Sequence, residues 1–476
     1  MKTQDENKKQ FYITCIKLIH FIISIALFWV FWMLFRYGLV LQNPDTGFRY
    51  NYFAAAGYGI LLLFFYRTYN SYLLGYNRIR ELVISEFLSQ FFTIAIIYVA
   101  VSFGWAKWKN PLFFVALLFC QMILDTLWAY FGNRLFFKLY PPKKTILIYR
   151  SMLDKKRFGI IKGKPIERLY TITDELMYDG TFYALEDKLI GYDAIFVAGV
   201  NSSCRNGIIK FCKEENIPCL FLPHVGDVIM QESIHIQSFD SPVLFVTRSM
   251  LKPEYRIIKR AFDFCASLLG IIILSPLMGI TALAIKLYDG GPAIYKQTRL
   301  TKDGREFKIL KFRSMRVDAE KDGVARLSTG GNDGRITPIG KIVRKCRLDE
   351  LPQLFNILKG DMSIVGPRPE RPEIAEQYYK TIPDFRLRLQ VKAGLTGYAQ
   401  VYGKYNTSPY EKLEFDLLYI NNMSVLTDLR LMFATFGILF IPESTEGVTD
   451  GQVTAIDCEN EDNSGSSGIV VGQNIS

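Results

Sequence analysis

IIKRAFDFCASLLGIIILSPLMGITALAIK, residues 257–286, decides how the C-terminal half of this chain is arranged. Between Phe264 and Ile285 the run is apolar and meets the ~20 residues a helix needs to cross a bilayer. Its flanks argue against a simple crossing. Lys259 and Arg260 precede it and Lys286, Lys296 and Arg299 follow it, so the positive charge that marks the cytoplasmic side stands at both ends. Ser275-Pro276 lies near the centre, where proline deletes a backbone donor and clashes with the preceding turn, so a helix kinks there. The residues alone leave two readings open, a fifth transmembrane helix and a re-entrant helix that enters and leaves on one face. The second reconciles length, charge and break.

Upstream, four apolar segments (11–35, 52–66, 84–103 and 111–131) approach or reach the length of a membrane span, the second being the shortest. Lys2, Lys8, Lys9, Arg67, Arg78, Arg80, Arg134, Lys138, Lys143 and Lys144 fall on one side of them, against Arg36, Arg49, Lys107 and Lys109 on the other. This bias places the N-terminus and everything after Pro141-Pro142 in the cytoplasm of a multi-pass inner-membrane protein. The first apolar run is long and lacks a small-residue cleavage site, so it reads as a retained anchor. Composition agrees: of 476 residues, 50% are apolar and 14% aromatic, more than a soluble protein usually carries. The net charge of +11 favours anionic lipid, nucleic acid or phosphorylated small molecules as partners. The eight cysteines show no Cys-x-x-Cys spacing among Cys204, Cys212 and Cys219, and Cys15, Cys120 and Cys265 lie in apolar runs. They read as reduced, mostly buried thiols.

Between 143 and 250 the pattern changes to short β-rich runs (145–149, 194–198, 219–222 and 243–246) alternating with helical stretches such as 206–215, which predicts a small α/β domain with a parallel sheet. After its first strand a dinucleotide site would place a glycine-rich turn. Here the chain has Arg150-Ser151-Met152-Leu153-Asp154-Lys155, without glycine. The domain therefore reads as an accessory module (spacer, oligomerisation or regulatory), with nucleotide binding as the lesser alternative. Residues 251–441 form a basic globular domain, ending in a stretch (425–441) whose apolar stripe suits a membrane surface. The tail, 442–476, has no lysine or arginine and is expected to be disordered.

In that basic domain a carboxylate pair stands in Arg344-Lys345-Cys346-Arg347-Leu348-Asp349-Glu350-Leu351-Pro352. The three histidines are His20, His224 and His235, so chemistry in this half must use carboxylates and cations, with or without a metal. Leu351, Leu354, Phe355 and Leu358 repeat at helical spacing and Gly360 follows as a stop, which predicts a short helix starting near Asp349. At or near its N-cap, Asp349 would accept backbone N–H bonds, and Arg344 and Arg347 would keep it ionised as a nucleophile. Glu350 adds a like charge that Mg²⁺ would neutralise while bridging substrate phosphates. A capped, solvated helix start is the ordinary alternative. Further phosphate-type signals surround the pair. Lys311-Phe312-Arg313-Ser314-Met315-Arg316 precedes it, and Gly366-Pro367-Arg368-Pro369 follows with an arginine fixed by prolines. The turn Lys392-Ala393-Gly394-Leu395-Thr396-Gly397 reads as structural.

These motifs, together with Leu348-Asp349-Glu350-Leu351-Pro352-Gln353-Leu354, Lys359-Gly360-Asp361-Met362-Ser363, Val365-Gly366-Pro367-Arg368-Pro369 and Gly394-Leu395-Thr396-Gly397-Tyr398-Ala399-Gln400-Val401, make the stretch 259–440 resemble the bacterial sugar transferases. These are polyprenyl-phosphate sugar-1-phosphate transferases with a single re-entrant membrane helix. The N-terminal helices and degenerate Rossmann-like domain resemble the long form, which initiates capsule, O-antigen or exopolysaccharide assembly. The resemblance implies that Asp349 attacks the β-phosphorus of a UDP-sugar, expelling UMP, and that undecaprenyl phosphate then takes the phosphosugar from the aspartate. It also implies Mg²⁺ on Glu350, phosphate recognition by Arg344, Arg368, Lys311 and Arg313, a helix break at Ser275-Pro276 and interfacial roles for Lys259 and Arg260. Relatives often carry proline where Ala393 stands. The fold implied is a four-helix membrane region, a Rossmann-like domain and a mainly α-helical cytoplasmic domain. No nucleic-acid partner is expected, and a homo-oligomer is left open. A non-enzymatic membrane sensor or assembly scaffold, and a Mg²⁺-dependent phosphatase, are the competing readings.

Overall fold

The computed structural model describes residues 2–35, 49–104, 111–158, 165–231, 233–238, 241–246, 253–316, 319, 334–403 and 407–438. The expected disordered tail lies outside them. The chain divides into two compact units, Met1–Leu222 and Pro223–Ser476.

In the first unit the apolar segments form helices Lys2–Met33, Arg49–Thr68, Ile79–Gly104 and Leu112–Leu139. Three of them carry spans long and apolar enough to cross a membrane, Asn7–Met33, Ile79–Phe103 and Leu112–Leu139. The second, the shortest in the sequence, is a helix of 20 residues that buries Tyr58, Leu62 and Tyr66 against its neighbours. Aromatic packing holds this region, with Phe28 and Tyr58 stacked at 4.2 Å in one cluster and Trp128 and Phe136 in another.

Four parallel strands follow, β1 (Lys143–Tyr149), β2 (Tyr170–Met177), β3 (Ala194–Ala198) and β4 (Cys219–Phe221), in the order β2-β1-β3-β4. β1 and β3 are buried and read as apolar runs, as central parallel strands do. β2 sits at the edge and is mostly exposed, and its apolar residues (Tyr170, Ile172, Leu176 and Met177) are broken by Thr173-Asp174-Glu175, so it shows no continuous apolar run. The run 243–246 belongs elsewhere. Its strand, Ser241–Phe245, pairs antiparallel with Ile234–Ser238, outside the parallel sheet. Helix Ser202–Glu214 starts where Asn201 accepts a bond from the Cys204 N–H. Beyond the C-terminal ends of β1 and β3, where an open sheet of this kind would hold a ligand, the Asp154 side chain occupies the space over Gly199. A Cβ on Gly199 would lie 2.2 Å from that carboxyl group.

The second unit begins earlier in sequence than the expected boundary at 250. Helix Val225–Met230 contributes Val225 and Val228 to its main core, and Asn421 Nδ2 donates to the Val228 carbonyl at 2.6 Å. The long helix Pro253–Asp289 runs through Pro276 and is apolar enough to cross a membrane. One face packs inward along its length, with Phe262 and Ala266 on the main core and Met278 and Ile285 on a second cluster with Phe312 and Val343. The other presents Ile257, Leu269, Ile272, Ile273, Ile280, Leu283 and Leu287, each more than half exposed. The thiols are less buried than expected. Of the described cysteines only Cys204 and Cys212 are buried, and Cys265 and Cys346 are exposed.

A hairpin, Ile294–Leu300 with Glu306–Phe312, and a two-stranded parallel pair, Ser363–Val365 with Gly394–Thr396, complete the unit. Glycine is required at this pair. A Cβ on Gly394 would fall 2.1 Å from the Gly366 nitrogen, and one on Gly366 would fall 2.4 Å from the Lys392 carbonyl oxygen. Both contacts are to backbone, which cannot swing away. Gly394→Ala is therefore expected to destabilise the unit by at least about 1–3 kcal/mol, the usual cost of overpacking, read as a lowered unfolding midpoint. Glycine at 394 is thus structural, as the sequence indicates.

Candidate active site

Asp349 and Glu350 lie in a single 3-10 turn, Leu348–Glu350, entered through Arg347 in the left-handed region (φ 56°). The α-helix begins only at Gln353 and runs to Lys359, with no side-chain cap. The expected N-cap role of Asp349 is thus replaced by a tight turn, because Pro352 fixes the start of the helix one residue before Gln353. Gly360 ends that helix in the left-handed region (φ 97°), as predicted. Arg260 donates to the last carbonyls, Ile357 and Leu358, both at 2.8 Å, and satisfies the end of the helix.

The two neighbouring carboxylates have opposite surroundings. Glu350 Oε1 meets Arg368 at 2.9 Å and Lys311 at 3.5 Å, and Oε2 faces Arg347 at 4.0 Å. Burial alone would raise the Glu350 carboxyl, but Arg368, Lys311 and Arg347 outweigh it and hold the group far below the usual carboxylate range. Asp349 makes no hydrogen bond or ion pair among the described residues. Burial first, then the Glu350 charge, pushes its carboxyl up, with Lys311, Arg344 and Arg368 pulling the other way. The sequence placed the cations' main effect on Asp349. Geometry directs it to Glu350. Four cations face two carboxylates, leaving an excess of two positive charges.

The parts come from separate elements. Lys311 is near the end of a hairpin strand, Arg344 in the last turn of helix Pro338–Lys345, and Arg368 in the loop after strand Ser363–Val365. That loop is anchored at its backbone. Gly366 N donates to the Thr396 carbonyl, Gly394 N to the Pro367 carbonyl, Arg388 to the Arg368 carbonyl and Arg299 to the Pro369 carbonyl, at 2.8 to 3.0 Å. Arg388 is itself held by buried Asp416 at 2.6 Å and faces Glu370 at 3.6 Å. Arg299, Glu370, Arg388 and Asp416 had no sequence signal, since each stands outside the apolar periodicity and the phosphate-type motifs.

Other predicted residues lie apart from this cluster. Arg313 is buried, pairs with Asp289 and passes over Gly291, where a Cβ would lie 2.1 Å from its guanidinium. Lys259 pairs with Asp428 at 2.7 Å, and Tyr255 and Tyr419 donate to the same carboxylate. Lys259 and Arg260, expected at the membrane interface, are thus engaged inside this unit. Ser275 Oγ donates to the Ile272 carbonyl at 2.9 Å, on the exposed side of the long helix.

Mg²⁺ asks for one or two carboxylates plus waters and phosphates, and Glu350 Oε2 with the Asp349 carboxylate, unpartnered among the described residues, are the oxygens that could hold it without displacing Arg368. A carboxylate attacks phosphorus only when ionised, so a nucleophilic role for Asp349 would make the rate follow its ionisation. Under that role, the upward displacement of Asp349 is expected to place the acid limb of kcat/KM above the ordinary aspartate value of about 4, with rate rising as pH increases through it.

The profile of the family described as bacterial sugar transferase matches residues 254–442. Over 188 residues the chain is 40% identical to the exopolysaccharide production protein PSS of Rhizobium leguminosarum bv. phaseoli, covering 38% of this chain and 93% of that protein. It is 43% identical over 186 residues to a UDP-N-acetylgalactosamine-undecaprenyl-phosphate N-acetylgalactosaminephosphotransferase of Aeromonas hydrophila, covering 38% of this chain and 44% of that one. It is also 43% identical over 199 residues to a UDP-glucose:undecaprenyl-phosphate glucose-1-phosphate transferase of Escherichia coli K12, covering 41% and 42%. The match thus spans less than half the length of the last two relatives.

Proposed function

The chain belongs to the bacterial sugar transferases, and from that membership we propose that it moves a sugar-1-phosphate from a UDP-sugar to undecaprenyl phosphate in the cytoplasmic membrane. The products are UMP and the polyprenyl diphosphate-sugar that starts an exopolysaccharide, capsule or O-antigen chain. The observation that carries this reading is the division of labour within the acid pair, Glu350 saturated by cations and Asp349 unpaired beside them.

The excess positive charge of Lys311, Arg344, Arg347 and Arg368 binds the diphosphate and spreads the charge of the transferring phosphoryl group. An Asp349 oxygen attacks the β-phosphorus. The bond from that phosphorus to the bridging oxygen breaks, and UMP leaves with the electron pair. A phosphate oxygen of the lipid then attacks the same phosphorus, and the Asp349 carboxylate departs intact. Glu350 orients Arg368 and Lys311 and, with Asp349, would hold Mg²⁺. When bound, that ion supplies further neutralisation of the phosphate oxygens.

Both ends of the long helix are tied to one compact unit, at Lys259–Asp428 and at Asp289–Arg313, and the helix is continuous through Pro276 between them, without the expected break. These ties support the re-entrant reading, which keeps the basic domain on the cytoplasmic face. The Asp154 carboxylate over Gly199 opposes a phosphate in the α/β domain, which supports an accessory role there. Identity is the same, 43%, to relatives named for N-acetylgalactosamine and for glucose, so it does not select the sugar. Purified protein assayed with a panel of UDP-sugars is expected to make UMP and lipid-linked sugar diphosphate in equal amounts, only when undecaprenyl phosphate is present for turnover. Release of sugar phosphate or inorganic phosphate without lipid would mean a phosphatase, and no reaction would favour a scaffold.

A further inference from the structure

Three ionisable side chains meet within the N-terminal helices, far along the chain from the acid pair. His20 is at the midpoint of the apolar span Asn7–Met33, Asp125 is near the midpoint of Leu112–Leu139, and Glu86 is on Ile79–Phe103. Their exposures are 2%, 1% and 0%. One ligand atom from each lies within 4.8 Å of the other two. His20 Nε2 is 3.0 Å from Asp125 Oδ1. The remaining atoms, His20 Nδ1, Asp125 Oδ2 and both oxygens of Glu86, have no hydrogen-bond partner among the described residues.

The surrounding polar groups do not satisfy them. Tyr58 donates to Gln90 at 2.6 Å, Gln90 donates to Tyr66 at 3.2 Å, and Gln121 donates to Tyr58, so one proton of each of these three side chains is taken up among the neighbours. The Tyr66 hydroxyl stands beside Glu86 and the Gln90 amide beside Asp125, each with a proton left to give, but the Glu86 oxygens and Asp125 Oδ2 lie outside hydrogen-bonding geometry with them. Trp128 covers His20 by stacking at 4.4 Å. No lysine or arginine pairs with Glu86 or Asp125 among the described residues. Ionised carboxylates left unpaired at membrane depth cost several kcal/mol each, so an ionised Glu86 beside the His20–Asp125 pair calls for a neutralising cation.

We propose that His20, Glu86 and Asp125 are ligands of one divalent metal ion of the zinc class, held between three membrane helices. One neutral imidazole and two carboxylates carry two negative charges, which a dication cancels. An imidazole nitrogen with carboxylate oxygens suits zinc and its borderline neighbours, whereas Mg²⁺ prefers oxygen alone. Gln121, one turn from Asp125 on the same helix, offers a further buried oxygen without a partner. The ion would tie the first, third and fourth helices together. This inference is independent of the transferase reading.

The test uses full-length protein in detergent, stripped of metal and titrated with Zn²⁺ in excess Mg²⁺, with metal content, unfolding midpoint and the Co²⁺ absorption spectrum as readouts. One equivalent of zinc per chain, a raised midpoint and a Co²⁺ spectrum of mixed nitrogen and oxygen donors are expected. Glu86→Gln and His20→Gln should each weaken binding by at least roughly 100-fold, the upper end of what even an outer-shell loss costs. Glu350→Gln should retain the equivalent, which separates this ion from the acid pair. Wild type without stoichiometric zinc, or either helix variant binding like wild type, overturns the proposal. A Glu86→Gln protein that is more stable than a zinc-insensitive wild type would likewise overturn it and leave a proton as the neutralising charge. If a variant fails to fold, the zinc stoichiometry and Co²⁺ spectrum of wild type decide alone.

Discussion

Asp349→Asn is expected to abolish UMP release from a UDP-sugar, by about 10⁴-fold or more, because the amide keeps the shape of the side chain but cannot attack phosphorus. The same substitution is expected to leave the fold intact and slightly more stable at neutral pH. Asp349 makes no hydrogen bond or ion pair among the described residues, and burial and Glu350 push its carboxyl up. A carboxyl raised in the folded state binds protons more tightly there than in the unfolded chain. Its ionised form therefore costs stability above the folded-state value, and that cost fades as pH falls from there towards the unfolded-state value of about 4, below which it is gone. Removing the charge removes the cost. A variant that is inactive and no less stable, measured by UMP assay and thermal unfolding on the same preparation, fits a strained nucleophile rather than a structural acid.

Glu350→Gln is expected to lower transfer by about 10³-fold, as the loss of one preorganised electrostatic element typically does, and here stability should fall. Arg368, Lys311 and Arg347 would lose the charge that holds them. The cost is about 1–3 kcal/mol, discounted because Arg368 is 42% exposed at its side chain. Glu350 is displaced downward, so its contribution is present above the unfolded-state value of about 4 and is lost as pH falls through the folded-state value. The gap between wild type and variant should therefore close in acid. Adjacent carboxylates with opposite stability effects are the signature of this site, and equal losses from both substitutions would count against it.

Much of this arrangement was legible from local signals. The glycine stop at Gly360, the arginine fixed between prolines and the buried strands β1 and β3 each follow from one local rule, and the structure realises them as written. The failures have a common cause. The sequence shows which residues are neighbours along the chain, whereas electrostatics depends on neighbours in space. Arg344 and Arg347 flank Asp349 in sequence, yet Arg368, Lys311 and Arg347 converge on Glu350. Lys311 and Arg313 look alike in one motif. The strand ends at Phe312, and Gly291 opens a path for Arg313 toward Asp289, so only Lys311 joins the pair. Strand β2 is not legible because Thr173-Asp174-Glu175 interrupt its apolar residues, which an exposed edge strand tolerates. The Arg388–Asp416 pair, which carries the backbone of the arginine loop, joins residues 28 positions apart with no shared motif.

The most direct measurement is the mass of the intact protein after a single exposure to UDP-sugar without lipid acceptor, followed by peptide mapping of any adduct. A sugar-phosphate increment on Asp349 that disappears on adding undecaprenyl phosphate, and never forms in Asp349→Asn, is the predicted result. An unmodified Asp349 under conditions where UMP is released, or kinetics that require both substrates bound before any UMP appears, would contradict it.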